Sequence, residues 1–347
     1  MRLVAFSVYG LFNEFDYEIN LTDGPMTFIH SQNGYGKSTV MRLIHWALSG
    51  DREKIGEVLF SRMDLTFSDG SCMILENSNG EVVVQMQKND LEEQVTDNEM
   101  KIVMRSMYIS PERYVVPSES CGHYDPALYV YHKELAESMR DAVEDGDLPA
   151  ADVRSVSLLS DEELEFRCKD LKAKLDFMKQ AGIEPDMPSG YRFPPARYEI
   201  MEWRKDYDSL AASVESYVNK YFTLAESLVV YLDIINGMFI NKEIYINDKN
   251  GLNVRMTNGT ALPINRLSSG EEQLLIIFYQ ILFQTAAGSL VIIDEPEISL
   301  HVSWQQRIGS ILVDIARLRD LQMLVATHSP QIIHDRWDAA VELKAGQ

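Results

Sequence analysis

Residues 31–39 read SQNGYGKST and lie between a predicted β-strand and a predicted helix that begins at Lys37. A loop that binds phosphate needs backbone N–H groups turned inward, which requires glycine wherever a side chain would collide with the ligand. Gly34 and Gly36 meet that requirement. Lys37 is placed to reach the β- and γ-phosphates of a nucleotide, and the hydroxyl of Ser38 to bind Mg²⁺. The stretch therefore predicts a phosphate-binding loop.

The loop departs from the strict G-x-x-x-x-G-K-[ST] pattern at its first position, where Ser31 replaces glycine. Serine is small, so the prediction of a phosphate-binding loop is kept. The alternative is a glycine-rich turn that binds no ligand. The candidate nucleotide-binding residues of the segment are Ser31, Asn33, Gly34, Tyr35, Gly36, Lys37, Ser38 and Thr39.

A second stretch, LVIIDEPEISLH, covers residues 290–301. Its four apolar residues predict a buried strand, and Asp294 and Glu295 follow at the carboxyl end, where open α/β sheets place their ligands. In that position one carboxylate, Asp294, is expected to hold Mg²⁺ and the other, Glu295, to polarise an attacking water. The alternative is a strand that ends in an acidic turn.

Two shorter signals follow the same logic. LSSGEEQ, residues 267–273, precedes an apolar helix, and a Ser-x-Gly turn at a helix N-terminus favours an anion because free N–H groups and the helix dipole point the same way. The same residues are also typical of an ordinary helix cap.

His328 in LVATHSP directly follows another predicted buried strand. Its alternative is a structural histidine.

The order of elements predicts an α/β fold, with a mixed β-sheet and a phosphate-loop core, split by a helical insertion. Strands and one helix dominate residues 1–115, helical periodicity dominates 116–242, and strands alternate with helices over 243–347. A heptad pattern of apolar residues runs through 200–238. Its high aromatic content favours a helical hairpin or small bundle within the chain, and a partner-binding or oligomerising face is the alternative.

The composition limits the classes of function and the location. The formal net charge of −21 opposes a general nucleic-acid-binding surface, although a local basic groove stays compatible with it. No apolar stretch reaches the ~20 residues that span a bilayer, so no membrane partner is expected. The three cysteines, Cys72, Cys121 and Cys168, are too far apart for a zinc cluster or a disulfide framework. The sequence predicts a cytoplasmic protein.

Together, these motifs resemble the ABC-type ATPase heads of the clade that contains SMC, RecF and the OLD (overcoming lysogenization defect) ATPases. The resemblance covers about 1–115 and 243–345, and the helical middle matches only by position. It implies ATP and Mg²⁺ as cofactors, and it leaves the glutamine of the Q-loop open, with Gln85 and Gln87 as candidates. The roles it implies are Lys37, Glu295 and His328 as catalytic residues, Ser38 and Asp294 as metal ligands, and Ser268, Ser269 and Gly270 as the signature that contacts phosphate.

The resemblance also implies a mode of action, in which the signature of one head completes the nucleotide site of a second copy. ATP would then hold a dimer together, and hydrolysis would reopen it. One hypothesis is a switch for a separate nuclease or toxin in bacterial antiphage defence, similar to Septu-like, retron-associated or PARIS-type systems. Nineteen residues follow His328, and we expect any effector to be a separate chain. The alternatives are a RecF- or SMC-like DNA repair ATPase that acts directly on DNA, and an ATP-gated scaffold.

Overall fold

A computed structural model describes residues 1–88, 91–117, 124–148, 159–247 and 251–344. The chain divides into two compact units. The first unit contains Met1–Arg113 and Gln284–Gln347, and the second unit contains Tyr114–Phe283. The predicted division at 115 and 242 concerns functional domains and stays a prediction.

The strands and helices follow one another as expected for a mixed α/β chain. The strands are β1 (Leu3–Leu11), β2 (Phe15–Asn20), β3 (Met26–His30), β4 (Arg62–Phe67), β5 (Cys72–Ser78), β6 (Glu81–Lys88), β7 (Leu91–Gln94), β8 (Ser106–Ile109), β9 (Val115–Pro117), β10 (Tyr124–Pro126), β11 (Lys242–Asn247), β12 (Gly251–Met256), β13 (Ala261–Leu262), β14 (Leu290–Asp294), β15 (Gln322–Ala326) and β16 (Ala340–Glu342). The α-helices are α1 (Lys37–Ser49), α2 (Arg52–Gly56), α3 (Asp97–Val103), α4 (Ala127–Glu144), α5 (Asp161–Gln180), α6 (Arg197–Glu202), α7 (Arg204–Met238), α8 (Ser269–Phe283), α9 (Val302–Leu318) and α10 (Pro330–Ile333).

A parallel sheet in the first unit positions the predicted site. Its strand order is β16-β3-β15-β14-β8, and every neighbouring pair is parallel. All residues of β14 and β15 are buried, as expected for central strands covered on both faces. Because parallel strands end at the same edge, the segments after β3, β14 and β15 meet there. Those segments carry the phosphate loop, the acidic pair and His328.

An antiparallel sheet, in the order β2-β1-β4-β5-β6-β7, forms the rest of the first unit's framework. Val40, Leu43 and Ile44 of α1 are fully buried in a core cluster that takes residues from both sheets. Burying such a side chain contributes about 1.5–3 kcal/mol, so this packing fixes the N-terminus of α1 where the phosphate loop ends.

The heptad pattern in the second unit forms α7, and α6 precedes it as a separate short helix that ends before Trp203. The buried face of α7 packs inside the chain. Phe222 of α7 contacts Phe177 of α5, with ring centroids 5.5 Å apart, and the Tyr231 hydroxyl donates to the Leu275 carbonyl of α8 at 3.1 Å. These contacts agree with the intramolecular arrangement predicted for the pattern.

One predicted element is wrong at its start. The apolar run 101–110 predicts a single strand, but its first residues end α3, and β8 begins only at Ser106. The reason is local, since Thr96 and Glu99 form a reciprocal capping box that starts a helix before the run.

Cys72 and Cys168 are free thiols, and Cys121 lies outside the described residues. Within the described part of the chain, no helix combines the length and apolar character needed to cross a membrane.

Candidate active site

The phosphate loop connects β3 to α1 and depends on two left-handed backbone positions. Gly34 has φ +91° and Gly36 has φ +72°, a region that L side chains rarely adopt. A Cβ atom on Gly36 would lie 2.9 Å from Cδ2 of Leu11, so this glycine also allows the loop to lie against β1. Ser31, in the first position of the pattern, is buried, and its hydroxyl donates to the Gln32 carbonyl at 3.1 Å.

We expect Gly36→Ala to weaken ATP binding by about tenfold, or about 1.4 kcal/mol, because strain and the Leu11 collision reshape the loop. Gly70→Ala is the matched control, since Gly70 has a similar φ of +80° in the turn between β4 and β5 and has nothing within 4 Å of its added Cβ. Titration with a fluorescent ATP analogue measures the affinity. Equal affinities for the Gly36 and Gly70 variants would contradict the prediction.

A cleft of about 510 Å³ opens over this loop within the first unit. Phe12, residues 32–39, Glu295 and His328 line it. The cleft thus joins the loop, the end of β14 and the segment after β15, which are far apart in sequence. Gln85 and Gln87 lie on β6 and are not among the described residues that line it, so the Q-loop glutamine stays open.

Lys37, Glu295 and His328 meet in the cleft. The Lys37 side chain is only 4% exposed, and its Nζ lies 2.5 Å from Nε2 of His328 and 3.7 Å from Oε1 of Glu295. Nε2 of His328 lies 3.3 Å from the same Glu295 oxygen. Since a lysine ammonium only donates, Nε2 of His328 is the acceptor in this contact. The three predicted catalytic side chains therefore form one charged cluster.

Asp294, at the end of β14, is fully buried. The Tyr108 hydroxyl of β8 donates to its Oδ2 at 2.9 Å, whereas its Oδ1 is buried without a hydrogen-bond partner among the described residues. Burial and the nearby Asp294 carboxylate raise the pKa of Tyr108 far above its ordinary value, so the phenol keeps its proton and donates. Asp294 is not among the described residues that line the cleft, but its unpartnered carboxylate oxygen and the Ser38 hydroxyl in the cleft wall are both ligands of the kind that Mg²⁺ prefers.

Glu295 has a left-handed backbone, with φ +47°. The buried Arg113 side chain holds this turn, because its Nη1 donates to the Asp294 carbonyl at 3.2 Å and its Nη2 to the Glu295 carbonyl at 3.1 Å. A non-glycine residue at positive φ persists only where its surroundings fix it. Arg113 therefore orients the turn that points Glu295 into the cleft.

Glu297 links the acidic turn to the segment that carries His328. Its Oε1 accepts hydrogen bonds from the Thr327 hydroxyl at 2.8 Å, the His328 backbone N–H at 2.6 Å and the Ser329 N–H at 3.1 Å. Three donors on one carboxylate oxygen fix the path of the chain at the end of β15.

The predicted signature lies in the second unit, at the N-terminus of α8. Ser268 and Ser269 are exposed and Gly270 is buried. The Ser268 hydroxyl donates to Oε2 of Glu271 at 2.8 Å, and the Glu271 N–H donates back to that hydroxyl at 3.4 Å, so the segment also forms the helix cap foreseen as its alternative. The role of this segment in contacting phosphate stays a prediction.

Sequence reasoning missed Tyr108, Arg113 and Glu297 as site residues. Glu297 was within reach, because it belongs to the DEPE motif already quoted. Tyr108 lies on β8 and Arg113 follows it, and the place of this short strand beside β14 is set by tertiary pairing, with Ile293 opposite Ile109.

Comparisons with known proteins find two family models that match parts of the chain. One family model, described as "AAA domain, putative AbiEii toxin, Type IV TA system", matches residues 203–334, and a second, described as "AAA domain", matches residues 6–116. The chain is also 33% identical over 92 residues to the "Retron Ec83 probable ATPase" of Escherichia coli. That match takes in 22% of this chain and only 16% of the retron protein.

Two solved structures share the fold. The first is an SmcHead bound to the C-winged helix domain of ScpA, with a TM-score of 0.51 and 12% identity over 96% of this chain and 91% of that one. The second is an Smc head domain with an extended coiled coil bound to the C-terminal domain of ScpA derived from Pyrococcus furiosus. It has a TM-score of 0.52 and 13% identity, and the match covers 99% of this chain and 94% of that chain. The fold class predicted from the sequence is confirmed, since the chain shares the fold of these Smc head domains, and residues 6–116 and 203–334 are similar to AAA domains.

Proposed function

We propose that this chain binds ATP with Mg²⁺ in the cleft of the first unit and hydrolyses it. The observation that carries the proposal is the meeting of Lys37, Glu295 and His328 within 3.7 Å of one another at the edge where three parallel strands end. Phosphoryl transfer requires positioning and charge compensation more than covalent chemistry, and this cluster offers both.

Each side chain has a distinct task in this scheme. The Lys37 ammonium exchanges its contacts with His328 and Glu295 for the β- and γ-phosphates when ATP enters. The Glu295 carboxylate is then released to orient and polarise the attacking water, and the His328 ring to contact the γ-phosphate. Asp294 and Ser38 would hold Mg²⁺, which neutralises charge on the phosphates when it is bound.

The hydrolysis cycle serves, in this proposal, as a switch. Ser268 and Ser269 are exposed at the N-terminus of α8, where backbone N–H groups and the helix dipole favour the phosphate of a nucleotide held by a second copy. ATP then stabilises a head-to-tail pair, and hydrolysis releases it. Any ligand that binds one state better shifts the equilibrium toward that state by its difference in affinity.

We place this switch in bacterial antiphage defence, in the cytoplasm, acting on a separate nuclease or toxin. Support comes from the match to a retron ATPase and from a family model whose description names a toxin–antitoxin system. The net charge of −21 disfavours direct binding to DNA.

Phosphate release, measured with and without duplex DNA at physiological salt, tests the proposal. We expect turnover that requires Mg²⁺, disappears in Lys37→Ala and changes less than about twofold with DNA, since the acidic surface repels a polyanion. Stimulation of several-fold by DNA alone would support a DNA repair ATPase instead. Co-purification with a nuclease or toxin encoded by a neighbouring gene would support the defence role, and its absence from that neighbourhood would weaken it.

A further inference from the structure

The signature turn is held by a carboxylate inside the second unit. Both the backbone N–H and the hydroxyl of Ser268 donate to Oε2 of Glu271, each at 2.8 Å. Glu271 itself is only 6% exposed. An ionised carboxylate at that depth is costly unless a cation and further hydrogen bonds compensate it.

Lys242, the first residue of β11, supplies the cation. Its Nζ lies 2.7 Å from both carboxylate oxygens of Glu271, and its side chain is only 18% exposed. Burial raises the pKa of Glu271, but the hydrogen bonds from Lys242 and Ser268 outweigh it and leave the pKa below its ordinary value. Glu271 is therefore ionised, and its charge is matched by a residue 29 positions earlier in the chain.

We infer that Lys242 is a positioning residue for the signature, acting through Glu271 to hold Ser268 in place. This inference rests on the proposed role of Ser268 in ATP-dependent pairing. Without the ammonium, the Glu271 carboxylate is left buried and uncompensated, so it has to turn toward solvent or take up a proton. Turning toward solvent withdraws the acceptor from both donors of Ser268, and protonation replaces a charged acceptor with a weaker neutral one, so either change loosens the start of α8.

A second ion pair, between β11 and β12, provides a control that separates the loss of the Lys242–Glu271 contact from a general loss of positive charge. Glu243, the next residue of β11, pairs with Arg255 of β12 at 2.8 Å, and both side chains are 48% exposed. Exposed pairs of this kind contribute about 0–1 kcal/mol. Arg255→Met removes a cation from the same small sheet without touching the signature.

Hydrogen exchange of the nucleotide-free chain tests the positioning directly. In Lys242→Met we expect the amides of residues 268–272 to exchange about tenfold faster, as local opening becomes easier. Lys242→Arg should restore slow exchange, and Arg255→Met should leave this segment unchanged. Unchanged exchange in a folded Lys242→Met variant would overturn the inference.

The Glu271→Gln background gives a second, independent arm. A neutral amide needs no cation, so adding Lys242→Met there should accelerate exchange far less than it does beside Glu271. An equal acceleration in both backgrounds would show that Lys242 acts by another route and would overturn the inference. Where Lys242→Met alone fails to fold, recovery of folding in the Glu271→Gln background would support the inference, and failure of the double variant to fold would overturn it.

The functional consequence is measured in the Glu295→Gln background. Adding Lys242→Met should weaken ATP-dependent association about tenfold, while the affinity of the monomer for ATP stays within about twofold, because the phosphate loop belongs to the other unit. Association equal to that of Glu295→Gln alone would contradict the inference. Should Glu295→Gln itself not associate with ATP, the proposed switch fails, whereas the exchange measurements still decide whether Lys242 positions the signature.

Discussion

Glu295→Gln should abolish most ATP turnover and leave the chain trapped as an ATP-bound pair. The glutamine keeps the shape of the side chain and an oxygen near Lys37 and His328, which lie 3.7 and 3.3 Å from the Glu295 carboxylate. It lacks the negative charge that polarises water, and loss of a general base typically lowers turnover by about 10²–10⁴-fold. Steady-state phosphate release measures the first effect, and light scattering with ATP measures the molecular mass.

Lys37→Ala is the matched control, because it removes the phosphate contact and leaves Glu295 in place. This variant should stay monomeric with ATP, since the buried ammonium is the only described lysine or arginine side chain that lines the cleft. A mass for Glu295→Gln with ATP no greater than that for Lys37→Ala would contradict ATP-dependent pairing. If Glu295→Gln loses turnover but its molecular mass with ATP does not increase, the hydrolytic role of Glu295 is supported and the proposed ATP-dependent switch is contradicted.

The sequence predicted those parts of the site whose signals are local. The phosphate loop needs glycines at two left-handed positions, and the structure has Gly34 and Gly36 there. Asp294 ends one fully buried strand, His328 comes after another, and parallel strands end at a common edge. The spatial meeting of the motifs therefore followed from their order along the chain. Each of these inferences needed only a few neighbouring residues and one rule about sheets.

What sequence reasoning missed depends on contacts between distant segments. Tyr108 donates a hydrogen bond to Asp294, which lies 186 residues later in the sequence. Arg113 donates to the Asp294 carbonyl, which lies 181 residues later. Lys242 reaches Glu271 only because β11 lies beside the start of α8. Nothing in the spacing of these residues marks them, since a tyrosine or an arginine has no periodic signature. Their roles become visible only when the strand register and the packing are known.

Glu297→Ala should lower turnover by about 10–100-fold, which corresponds to about 1.4–2.8 kcal/mol in the barrier. Its Oε1 accepts three hydrogen bonds, from the Thr327 hydroxyl and from the N–H groups of His328 and Ser329. Without that oxygen, the segment after β15 loses its anchor and the His328 ring no longer has a fixed position over the cleft. The phosphate loop is untouched, so the KM for ATP should change by less than about threefold if it reports binding.

Glu297→Gln separates the anchor from the charge. Its side-chain carbonyl still accepts from the two backbone N–H groups, so this variant should retain most of the turnover, whereas His328→Ala should match the loss seen in Glu297→Ala. Because the anchor acts through His328, adding Glu297→Ala to His328→Ala should cost little more than either change alone, as non-additivity is expected for residues that act as a unit. Independent, multiplying losses in the double variant would contradict this, and Glu297 would then affect catalysis through the turn that carries Glu295.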